Sequence, residues 1–136
     1  MSVETCKAIG RRFFEEQDRL RGGPADELCA REYTAKIGSN PPMPLAGHKQ
    51  FSQMFYGGFP DVRHTITDVV ADEDCVAVHF VLDGTHTGNF MAIPPTGRTI
   101  HVNAMAIMNI AGDRVTDLRG VFDQAGMMRQ LGLAGV

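Results

Sequence analysis

CVAVHFVLDGTHTGNFMAIPPTGRTIHVNAMAIMNI, residues 75 to 110, is the stretch on which the fold turns. Cys75 to Asp83 alternates apolar with polar side chains, the period of a strand, and Arg98 to Ile110 takes the alternation up again. Between them lies GTHTGNFMAIPPTG, residues 84–97, rich in Gly, Thr and Pro. Gly84 and Gly88 flank Thr85-His86-Thr87 and permit positive φ, while Pro94-Pro95 stiffens the return. The segment therefore reads as a loop of fixed shape at the rim of a pocket.

Working outward, Val62 to Val70 and Arg114 to Phe122 repeat the strand period, and Ala111-Gly112-Asp113 joins the last two strands as a hairpin. The chain before Pro60 has a different texture. Ala8, Ile9, Phe13 and, weakly, Gln17 mark one arc of a helix from Val3 to Leu20, closed by Gly22-Gly23. Pro24 suits the first position of a short second helix, Ala25 to Ala30. Residues 38–44 are too rich in Gly and Pro for regular structure. Gly47 to Tyr56 restores a helical period, closed by Gly57-Gly58. A last helix follows Asp123, which stands where an N-cap belongs, with Gly132 at its far end. Helices, then antiparallel strands, then a helix predict one α+β domain over residues 1–136, its helices laid on one face of a curved sheet.

Bulk properties narrow the function. The chain has 136 residues, a formal net charge of −3 and 13 basic residues, which are scattered along it. Scattered charge excludes the footprint of a nucleic-acid binder. Cys6, Cys29 and Cys75 form no C-x-x-C pair, and no secretory signal or membrane-length apolar run is present. Reduced thiols and a cytoplasmic protein are expected. In His101 to Asn109 one parity is wholly apolar, while the other mixes Met105 and Ile107 with polar residues. A face of that kind covers a ligand pocket or a subunit interface.

The tract FPDVRHTITDVVADEDCVAVHFVLDGTHTGNFMAIPPTGRTI, with DRVTDLRGVFDQAGMMRQLG after the hairpin, resembles the SnoaL-like polyketide cyclases and predicted ester cyclases. Similarity runs from about Phe51 to Leu133, and GTHTG, IPPTG and the terminal FDQ-x-G-x-x-x-QLG form a specific combination. The resemblance implies a cone-shaped α+β barrel of the nuclear-transport-factor-two-like superfamily, a deep apolar pocket and a homodimer. It also implies intramolecular aldol closure by an acid/base aspartate, without metal or organic cofactor, and Asp123 stands at that aspartate's motif position. Members of the family usually carry Arg where this chain has His79, and often a Trp near Arg119. They also tend to have a His where this chain has Tyr33-Thr34-Ala35-Lys36.

Two readings of Asp123 stay open: a carboxyl group raised by burial that shuttles protons, or a helix cap worth about 1 kcal/mol. His79, His101, Asn103, Asn109 and Arg119 recur at alternate strand positions and are candidates to converge on a substrate oxygen, His79 and His101 as catalysts. His86 either fixes the rim or transfers a proton. Lys36 is a solvated lysine or a depressed base. Met105, Ile107 and Phe55 are candidates for an apolar binding surface. No H-x-H, H-x-x-x-H, Walker or nucleophile-elbow pattern is present, so neither metal nor cofactor is expected. Taken with these residues, the resemblance implies a cofactor-independent cyclase, lyase or isomerase acting on a small, apolar, polyketide-like carbonyl compound. The alternative is an accessory protein that binds such a ligand without converting it.

Overall fold

In the computed structural model, which describes residues 2–133, helix α1 (Val3–Leu20) starts at Ser2, whose hydroxyl accepts the Thr5 N–H. Cys6, Ile9, Phe13, Phe14 and Gln17 recur at helical spacing and are buried, so one face of α1 lies on the sheet. Gly10 allows the close approach: a Cβ there would stand 2.9 Å from Val76 Cγ2. The helix ends at Arg21, before the glycine pair, in the left-handed conformation (φ 54°). That conformation costs about 1–2 kcal/mol for a residue with a Cβ. The Arg21 guanidinium offsets it by donating to the Val62 carbonyl at 2.6 Å and to that of Pro60.

The expected short helix at Ala25 to Ala30 is corrected. Asp26–Leu28 is a single 3-10 turn, and Cys29–Ile37 is strand β1. Its alternation is visible only at Tyr33, Ala35 and Ile37, which are buried, because Arg31 and Glu32 are both exposed where the register shifts. A two-residue strand, β2 (Met43–Pro44), pairs with it antiparallel inside the segment expected to be irregular. Helix α2 (Leu45–Gly58) follows.

The four expected strands are present to within two residues at each end: β3 (Arg63–Ala71), β4 (Cys75–Thr85), β5 (Thr99–Ala111) and β6 (Arg114–Phe122). From β3 to β6 each strand pairs antiparallel with the next, β1 joins β6 in parallel, and β2 and β3 form the two edges, giving the order β2-β1-β6-β5-β4-β3 in one curved sheet. Gly112 and Asp113 both take positive φ (56° and 63°), which a two-residue hairpin turn requires. Helix α3 (Gln124–Gln130) packs on β5. Val76, Val78, Phe80, Val102, Ala104, Ala106 and Met108 are buried on the concave face under α1 and α2. Each larger one contributes roughly 1.5–3 kcal/mol by leaving water. No helix among the described residues is long and apolar enough to cross a membrane.

The loop after β4 is held differently from the expectation. Positive φ falls at Met91, Ala92 and Gly97, not at Gly84 or Gly88. Gly88 is required by space, since a Cβ there would come 2.0 Å from the Gly57 carbonyl oxygen, while a Cβ on Gly84 would stand a tight 3.2 Å from Phe59 and Val62. Thr87 and Gly88 donate their N–H groups to the Gly58 carbonyl at 3.2 and 3.0 Å, which docks the loop on the end of α2.

Candidate functional site

Between the helices and the concave sheet lies an apolar cavity that opens to solvent at its mouth. Phe14, Phe51, Phe55, Phe80 and Phe122 supply much of its wall. Five polar side chains reach it: Gln17 from α1, His48, Ser52 and Tyr56 from α2, and His64 from β3. The burial pattern of β3 turns His64 and Ile66 inward and Arg63 and Thr65 outward, so strand parity alone aims the imidazole at the cavity. Gln17 follows Phe13 by one helical turn and therefore shares its buried face.

His64 is held from behind by Asp18. Its Nδ1 lies 2.7 Å from Asp18 Oδ1, and its backbone N–H donates to Asp18 Oδ2 at 2.7 Å. The Tyr56 hydroxyl donates to Oδ1, also at 2.7 Å, with the Arg21 guanidinium 4.4 Å over the Tyr56 ring. Burial by itself would lift the Asp18 carboxyl. The hydrogen bonds and charge of His64, with the Tyr56 hydroxyl, outweigh it and hold Asp18 below the usual carboxylate range. Burial first, then the Asp18 contact, pushes the Tyr56 phenol up, so it stays a donor. An ionised Asp18 accepts the proton of Nδ1 and so orients the ring with Nε2 on the cavity side, where that nitrogen is bare in the neutral form of the imidazole. Phe14 and Phe80 flank the imidazole at 5.2 and 5.0 Å. A bare imidazole nitrogen, oriented by a carboxylate and surrounded by aromatic rings, has the geometry of a general base.

The second imidazole differs. His48 is buried, its Nδ1 lies 2.7 Å from the Tyr33 hydroxyl, and burial lowers its pKa to about 4. It is neutral at physiological pH. Ser52 donates to Gln17 Oε1 at 3.3 Å, and Gln17 donates to the Phe13 carbonyl at 3.4 Å, which closes the polar seam between α1 and α2. Among the described residues, no group of three or more His, Cys, Asp or Glu side chains is gathered as for a metal ion.

The family model of the SnoaL-like polyketide cyclases matches residues 10–131. The chain belongs to this family. No curated protein matches it in sequence. Similar solved structures include a presumed polyketide cyclase from Acidithiobacillus ferrooxidans, with TM-score 0.83, 25% identity, and 99% of this chain and 100% of that one covered. IdmH, a presumed polyketide cyclase from Streptomyces antibioticus, has TM-score 0.76 and 25% identity, covering 95% of this chain and 96% of that one. AclR, a presumed hydroxylase from Streptomyces galilaeus, has TM-score 0.88 and 20% identity, covering 99% of this chain and 85% of that one.

In this SnoaL-like chain the residues expected from the sequence are distributed unlike the expectation. Of the expected binding residues, Phe55 and Met105 border the cavity. Asp123 does not. It is exposed, and its Oδ1 accepts the Gly126 N–H at 2.9 Å, so the carboxylate turns to the first turn of α3. That capping bond and the positive end of the helix hold it in solvent. The apolar pocket wall expected around it is absent, and the side chain faces solvent.

His79, His101, Asn103, Ile107 and Arg119 lie on the outer face, because the helices cover the apolar parity and leave the polar one outside. His79 pairs with the Thr67 hydroxyl. His101 Nδ1 lies 2.6 Å from Asp83 Oδ1 in a shallow polar groove. Asn109 donates to both Asp117 oxygens at 3.1 Å. His86 is fully buried beside Phe59 and accepts the Thr96 N–H at Nδ1, 3.2 Å away, so it pins the loop. Lys36 Nζ donates to the Gly38 and Asn40 carbonyls at 3.1 and 2.6 Å.

The sequence reading passed over Asp18, His48 and His64. Their signal was a polar residue at an inward position: His48 shares the apolar face of α2 with Phe51, Ser52 and Phe55, and His64 shares the inner parity of β3 with Ile66. A polar side chain in such a position is more informative than one on a mixed face.

Proposed function

We propose that this chain is a cofactor-independent enzyme that moves a proton on a small, apolar, carbonyl-bearing molecule, as a cyclase, lyase or isomerase. The carrying observation is the Asp18–His64 pair, whose bare Nε2 opens onto an apolar cavity. In an aldol closure Nε2 takes the proton from a carbon next to the carbonyl, and the C–H electron pair becomes the enolate. The enolate carbon bonds to a second carbonyl carbon, whose π electrons move to its oxygen. That oxygen then recovers the proton from the imidazolium. Asp18 stabilises the imidazolium throughout, and general acid/base transfer of this kind is worth roughly 10²–10⁴-fold in rate. The polyketide-cyclase descriptions of IdmH and the Acidithiobacillus protein fit the same chemistry.

The reading extends to a homodimer, for which Ile107 on the outer face, with the exposed Met105 and Val121 where they edge the cavity, offers an apolar contact. It also assigns the work to the cytoplasm, a compartment that the free thiols of Cys29 and Cys75 fit.

A direct test follows the α-protons of 2-tetralone in D₂O by proton NMR. The wild-type protein should accelerate their exchange saturably, and His64→Gln should lower that rate at least a hundredfold. Saturable binding without any exchange would favour the accessory, ligand-holding reading instead.

A further inference from the structure

The cavity contains an imidazole that the Asp18–His64 pair does not use. The Tyr33 hydroxyl reaches one acceptor among the described residues, His48 Nδ1 at 2.7 Å. Burial pushes the Tyr33 phenol up, so it keeps its proton and donates it to Nδ1. With Nδ1 accepting and the ring neutral, the ring proton sits on Nε2. No described residue hydrogen-bonds that nitrogen. Nor is it sealed in the packing, since the buried side-chain polar atom left without a partner among the described residues is His86 Nε2, which belongs to the loop. His48 lines the cavity, so its Nε2–H is open to an occupant.

We propose that His48 Nε2–H receives the carbonyl oxygen of the substrate, with Tyr33 as the positioning residue that fixes the ring tautomer. This deepens the proposed proton-transfer reading and rests on it. As His64 withdraws a proton from the adjacent carbon, negative charge gathers on that oxygen, and a donor already aimed at it strengthens its hold without rearrangement. The substrate class narrows as well. His48 is an uncharged donor, and the residues lining the cavity include neither Lys nor Arg. A free carboxylate would lose its water there and meet neither a lysine nor an arginine. The site therefore selects a neutral ketone or ester over the corresponding acid.

The test uses 2-tetralone labelled with ¹³C at the carbonyl and isotope-edited infrared spectroscopy of the bound state. Binding to the wild-type protein should move the carbonyl stretch to lower frequency. His48→Phe keeps the ring shape but removes the donor, and should return the stretch toward its position in an apolar solvent. The same variant should lower kcat for proton exchange more than tenfold with little change in KM. His64→Gln should abolish exchange and leave the infrared shift intact. A wild-type shift without exchange would sink the proton-transfer reading and leave the His48 hydrogen bond standing as a binding contact alone. The same stretch in wild type and His48→Phe, or no saturable binding of 2-tetralone, would overturn the proposal. Nitrogen-15 NMR of the unmodified protein checks it without a variant: the proton should sit on Nε2 of His48, and a proton on Nδ1 would overturn it. Finally, 2-naphthoate should bind at least tenfold more weakly than 2-tetralone, and equal affinity would contradict the substrate class.

Discussion

The molecule holds two aspartate–histidine pairs of nearly equal geometry on opposite faces of one sheet. Asp18 and His64 meet at 2.7 Å with side chains 21% and 12% exposed; Asp83 and His101 meet at 2.6 Å with 36% and 72% exposed. The first borders an apolar cavity, and its carboxylate also takes the His64 N–H and the Tyr56 hydroxyl. The second lies in an open polar groove, where water competes for every bond it makes. Hydrogen-bond length alone does not separate a site from a surface contact. Desolvation and additional donors do.

Substitutions at the two aspartates should expose the contrast most strongly. Asp18→Ala strips three donors of their acceptor in a half-buried place and should cost about 3 kcal/mol in urea unfolding. Asp83→Ala should cost less than about 1 kcal/mol. Equal costs would erase the distinction.

Acid should discriminate the interior almost as well. Folded His48 binds its proton less readily than unfolded His48, with its pKa lowered from 6.5 to about 4. Between those values the unfolded chain holds more protons, so stability is fully present above pH 6.5 and falls as pH drops toward 4. The loss amounts to roughly 3 kcal/mol, at about 1.4 kcal/mol per unit. The depressed Asp18 acts in the same direction below its ordinary value of 3.8. His48→Phe should flatten the segment between pH 6.5 and 4, measured by chemical unfolding at several pH values, and a wild-type curve already flat there would place His48 in contact with water. The smallest effect belongs to Asp123→Ala, which should remove about 1 kcal/mol by uncapping α3 and leave proton exchange unchanged.

The fold was legible because β5 alternates almost throughout, β3, β4 and β6 alternate over part of their length, and α1 carries its apolar arc without interruption. Strand β1 was not, because Arg31 and Glu32 fall together where its pairing with β6 shifts register. The site was hidden for another reason. Alternation along β5 separates two faces but does not say which one the helices will cover, and the polar parity of His101 and Asn103 turned out to face away from them. The polar residues that meet at the cavity and behind it come from α1, α2, β1 and β3, and Asp18 and His64 stand 46 positions apart. Only packing brings them together. Asp123, by contrast, was legible as a cap from the sequence around it, and capping is where the structure finds it.

One comparison goes to the centre of the account: 2-tetralone proton exchange measured in parallel for His64→Gln and Asp123→Asn. The account predicts that His64→Gln falls to the uncatalysed rate while Asp123→Asn stays within about twofold of wild type, since a capping Asn is nearly equivalent to Asp. Exchange that survives loss of His64 and disappears with Asp123 would contradict it.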